Sequence, residues 1–113
     1  MSETSKALYL MVKRPDPKGN HKWRGSELME LHTNEKAMGK IELHRNERLF
    51  VVVSTNRQIV CSVMVDEVQK NPDGTYMVKF KDIRRDNWVL PGAIRSFAGG
   101  FAEGPPPLPV PLN

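Results

Sequence analysis

The chain has 113 residues, enough for one packed core and too few for two. Hydrophobic residues make up 39% and charged residues 27%, which excludes wholesale disorder, and no apolar run approaches the ~20 residues a membrane-spanning helix needs. The formal net charge of +4 disfavours a basic partner and favours an acidic one or a nucleic acid.

The opening MSETSK is too polar to begin a secretory signal, and a single cysteine cannot form a disulfide within the chain. A soluble, cytoplasmic protein with no membrane partner is therefore expected. ALYLMVK, residues 7–13, is short and apolar, is closed by Arg14 and Pro15, and predicts a first strand. KRPDPKGNHKWR, with prolines, a glycine and an asparagine, predicts a loop. Ser26 is placed to cap a short helix through ELMELH, with Leu28, Met29 and Leu31 as its stripe, although Leu28 to His32 also suits a strand. Thr33 is placed to cap a further turn, NEKAM, stopped by Gly39.

From Ile41 the pattern becomes extended. IEL and LFVVVS predict two strands joined by the polar turn HRNER, and the β-branched run Val51, Val52, Val53 suits a strand covered on both faces. RQIVCSVMVDEV follows, with Cys61 read as a small core residue rather than a reactive thiol. NPDG predicts a type I turn between hairpin arms at residues 58–69 and 75–83. With a four-residue loop, Val65 faces Phe80, Asp66 faces Lys79, Glu67 faces Val78 and Lys70 faces Thr75. Val63, Val65, Tyr76, Val78 and Phe80 then share the inner face, and Met64, Asp66, Met77, Lys79 and Lys81 the outer one. A glycine bulge would slide this pairing by one residue.

WVL, residues 88–90, predicts a last short apolar element with Trp88 in the core or as its lid. In GGFAEGPPPLPVPLN, Pro105, Pro106, Pro107, Pro109 and Pro111 exclude helix and central strand and favour polyproline II. The expected fold is β-rich (α+β). It is a small antiparallel half-open barrel of five or six strands with one or two short helices inserted early, occupying residues 1–98, and an extended Pro-rich tail over residues 99–113.

No catalytic constellation is present in the sequence. His21, His32 and His44 lack the i, i+4 spacing of a helical metal site, and Gly99 and Gly100 precede prolines and not a phosphate-binding helix. The pairs Glu27/Glu30 and Asp66/Glu67 are ordinary in a chain with 13 acids. The expectation is a non-enzymatic regulatory domain with no metal and no cofactor.

The basic segments carry more information. Lys13, Arg14, Lys18, Lys22 and Arg24 stand against Asp16 alone, with Trp23 among them; Lys79, Lys81, Arg84 and Arg85 stand against Asp82. Cations for phosphates, interleaved with an aromatic on which a base can stack, suit RNA or single-stranded DNA. The candidate interface is Lys13, Arg14, Lys18, Lys22, Trp23, Arg24, Lys81, Arg84 and Arg85. The same charges would equally solvate a loop and protect an edge strand.

The alternative is a protein-interaction module, an adaptor or an inhibitor of a larger complex, working through the tail. Pro106 and Pro109 have P-x-x-P spacing, while Phe97, Phe101, Leu108 and Val110 want cover. Phe101, Leu108 and Val110 are the candidate contacts, either strapping the tail to its own domain or joining a protein partner or a second copy.

IELHRNERLFVVV followed by IVCSVMVDEV resembles, in the order of its extended segments, the carbon storage regulator family of RNA-binding proteins. The resemblance implies RNA binding. It consists of alternating apolar residues, and neither the family's glycine-glutamate turn nor its closing arginine-glutamate-isoleucine occurs here, so it assigns no site residue.

Overall fold

The β-branched run at Val51 lies where its composition requires, inside a sheet and covered on both faces. The computed structural model describes residues 6–12, 21–24, 27–53, 58–85, 88–92, 94 and 101–109. In chain order the elements are β1 (Ala7–Val12), β2 (His21–Arg24), β3 (Glu27–Thr33), α1 (Glu35–Leu43), β4 (Leu49–Val53), β5 (Gln58–Lys70), β6 (Tyr76–Arg84), β7 (Trp88–Val89), β8 (Phe101–Gly104) and β9 (Leu108–Pro109). One sheet runs β2-β3-β6-β5-β4-β1-β8, and β7 pairs with β9 in a second, small one.

The expected β-rich half-open barrel is thus present. Its wall has seven strands because HKWR and FAEG, read from sequence as irregular, each add one at an edge. The sheet is mixed and not purely antiparallel, since β1 pairs in parallel with β4 through Tyr9–Phe50 to Val12–Val53. A parallel pair needs a long crossover, and residues 13–48, carrying β2, β3 and α1, supply it.

All five residues of β4 are buried. Leu8, Leu10, Leu49 and Val51 enter the larger apolar cluster, joined by Cys61, Val63, Val65, Val78 and Phe80 from the hairpin. Tyr9, Phe50 and Val52 point the other way, into a second cluster with Ile94, against which Trp88 packs. Trp88 meets Phe50 edge to face at 5.6 Å, so it serves as the lid the sequence suggested.

ELMELH is a strand and not a helix. Lys22 pairs with Glu30 and Trp23 with Leu28, so Met29 bulges out and both Leu28 and Leu31 turn inward. A bulge stretches the period of two to a spacing of three, which imitates a helical stripe. The helix comes later. Asn34, not Thr33, caps it, its side chain accepting from the Ala37 N–H at 2.9 Å. Burial of Met38 and Ile41 carries the helix through Gly39, a residue that costs about 1 kcal/mol relative to alanine in a helix. IEL therefore forms its last turn and not a strand.

The β5–β6 hairpin forms across Asn71 to Gly74 with Val63, Val65, Val78 and Phe80 inside, as expected. Its register near the turn is the slipped one. Gly74 has φ +89°, its N–H donates to Asn71 O, and the Asn71 N–H donates to Thr75 O at 2.8 Å. Lys70 consequently faces Tyr76, Val68 faces Val78, and Glu67, not Asp66, faces Lys79. An extra residue at Asp66 then restores the Val65–Phe80 pair, keeping the apolar side chains inward.

A second irregularity lies between the Met64–Lys81 and Ser62–Arg84 pairs, this time on β6. There Asp82 has φ +49°, a conformation aspartate tolerates better than most side chains. Arg48 stitches the bulge. Its Nη1 donates to Asp82 O at 2.8 Å and to Ser62 Oγ at 3.0 Å, and its Nη2 donates to the Asp82 carboxylate.

Candidate nucleic-acid interface

β2 and β6 are separated only by β3, so the strands bearing the two basic segments share one end of the sheet order. β3 runs antiparallel to β6 from the Glu30–Lys79 pair, which sends its Glu27 end toward Arg84. Arg24 pairs with Glu27 in turn. Arg24 of β2 and Arg84 of β6 therefore belong to the same end of their strands.

The charges here are partly compensated. Across four strands, Lys22, Glu30, Lys79 and Glu67 alternate in sign along one rung. The Lys79 ammonium lies 3.8 Å from the Glu67 carboxylate. Arg84 reaches Asp82 at 3.3 Å and is still 56% exposed, while the same carboxylate serves Arg48. One carboxylate between two guanidinium groups leaves a net positive charge. Lys81 is exposed, faces Met64 across the hairpin and has no ion-pair partner among the described residues. Arg85 follows β6 and is exposed.

The candidate residues thus differ in standing. Lys81, Arg84 and Arg85 lie together at the exposed end of β6. Lys22, Trp23 and Arg24 are placed by strand position in β2. Lys13, Arg14 and Lys18 lie outside the described residues. Arg48 was missed by sequence reasoning, because HRNER reads as a solvated turn and nothing in it announces a bulge to be bridged.

The C-terminal segment contributes two strands. β8 pairs antiparallel with β1, from Ala7–Gly104 to Leu10–Phe101, and Phe101 packs against the larger cluster. The Tyr9 hydroxyl donates to Pro105 O at 2.5 Å, and burial pushes this phenol up to about 12. Leu108 pairs with Val89, and both are exposed, at 63% and 43%. Phe97 and Val110 lie outside the described residues.

No three His, Cys, Asp or Glu side chains are placed to hold a metal ion among the described residues, and no described helix is long and apolar enough to cross a membrane. The resemblance to the carbon storage regulators fails at its first segment, since IEL is helical. Comparison with protein-family models, with curated proteins and with solved structures finds no match to this chain.

Proposed function

We propose that this protein binds RNA or single-stranded DNA through the β2–β3–β6 end of its sheet. The observation that supports the reading most is the strand order, which leaves only β3 between the strand of Lys22 and Arg24 and the one that carries Lys81 and Arg84 and leads into Arg85. An exposed sheet with basic side chains tracks a phosphate backbone while an aromatic stacks on bases; the reading rests on the cations, since Trp23 pairs with Leu28, a core residue. Trp88 is not available for that role, being packed on Phe50.

The test is a titration of fluorescently labelled single-stranded RNA at several salt concentrations, with wild type and Arg84→Glu/Arg85→Glu. Four to six phosphate contacts predict a slope of log affinity against log salt of roughly −3 to −4, shallower by about 1.4 in the double variant. Binding that is absent at low salt, or indifferent to the double reversal, contradicts the reading.

The exposed Val89–Leu108 pair favours a second reading, a protein contact at the β7–β9 sheet. Sedimentation of the wild type and of Leu108→Asp separates the two: self-association lost in that variant alone supports a protein interface.

A further inference from the structure

At the C-terminal end of α1 a histidine is held from two sides. His44, the residue that ends the helix, is 7% exposed. Its Nδ1 lies 2.8 Å from a Glu47 oxygen and its Nε2 lies 2.8 Å from a Glu103 oxygen. An ionised carboxylate only accepts hydrogen bonds, and a neutral imidazole has one N–H to give. Both contacts are hydrogen bonds together only when both ring nitrogens carry protons. The arrangement therefore specifies an imidazolium.

Glu103 belongs to β8, the edge strand, where it faces Leu8 of β1. Its other carboxylate oxygen accepts from Lys40 Nζ of α1 at 3.2 Å. One acid on an edge strand is thus gripped by two cations at the end of a helix that is itself anchored in the core by Met38 and Ile41. We infer that His44 and Glu103 form a pH-sensitive clasp on β8, closed while His44 is charged and loosened when it loses its proton.

The charged and titratable groups around the clasp are Lys40 on α1, Glu47 in the turn that follows and Glu103 on β8; Tyr9 of β1 lies on the opposite face of the sheet, where its hydroxyl holds Pro105. Burial acts to lower the affinity of His44 for its proton, but the hydrogen bonds to Glu103 and Glu47, with their charges, outweigh it and raise His44 above its ordinary 6.5. The hydrogen bond from His44, then that from Lys40, hold Glu103 below the usual carboxylate range. The stability that His44 contributes is complete below its ordinary value and is lost as pH rises through its raised one. The Glu103 contribution is present above the ordinary carboxylate value and is lost as pH falls through the depressed one. The clasp is tightest between these limits, and its alkaline release precedes any ionisation of Tyr9, held at about 12.

The test is NMR on the full chain, following the His44 ring nitrogens and the backbone amides of residues 101–104 from mildly acidic pH to about pH 9. His44 is expected to titrate above 6.5, and the β8 amides to shift with the same midpoint while those of Val51 to Val53 stay still. Glu103→Gln should lower the His44 midpoint and remove the coupled shift of β8. The wild-type titration stands by itself if that variant does not fold. Titration of His44 at or below 6.5, or β8 amides that ignore it, overturns the clasp.

Discussion

The two ends of the sheet are built on different physics. At the β4–β1–β8 end, β4 and β1 are apolar on both faces, and the charged network at β8 is centred on the buried His44. At the β2–β3–β6 end one face supplies Leu28, Leu31, Val78 and Phe80 to the core, while the charges on the other stand in water. Buried apolar area stabilises at roughly 25 cal/mol per Å², whereas an exposed ion pair contributes about 0 to 1 kcal/mol. The end covered on both faces therefore contributes more to the folding free energy, and the other carries more exposed charge. This division leaves the charged end able to change its exposed side chains at little cost to the fold.

The largest effect is expected from Leu8→Ala. Leu8 is fully buried between strands and helix, and its truncation should cost about 2 to 5 kcal/mol in urea denaturation while RNA affinity of the folded protein stays unchanged. A matching loss of affinity would break the separation of the two ends. The smallest effect is expected from Lys79→Ala. This residue is half exposed and faces Glu67 at 3.8 Å, so stability should change by about 0.5 kcal/mol or less. A larger loss would mean that the Lys22–Glu30–Lys79–Glu67 rung acts as a cooperative network.

The ends also differ in how legible they were. Val51 to Val53 and the NPDG hairpin could be read directly, because uninterrupted β-branched residues and a proline-glycine turn are local signals. The register was half legible: Gly74 slipped it and the Asp66 bulge slipped it back, so Val65 met Phe80 as expected although Glu67 replaced Asp66 opposite Lys79. β3 was hidden by its bulge at Met29, and α1 by an interior glycine that burial of Met38 and Ile41 overrides. The basic segments were visible as composition, but their closeness depends on β3 lying between them, which no local pattern encodes. His44 with Glu103 and Arg48 with Asp82 join residues far apart in the chain and left no trace in spacing.

The most direct measurement is the affinity of Lys81→Glu for single-stranded RNA, taken over a salt series beside its melting temperature. Lys81 is exposed and has no ion-pair partner among the described residues, so reversing it removes one of the proposed phosphate contacts without removing a structural one. The expected result is weaker binding, a salt slope shallower by about 0.7 and an unchanged melting temperature. Equal affinity and slope in wild type and variant, or no wild-type binding at low salt, would contradict the assignment of the β2–β3–β6 end to nucleic acid.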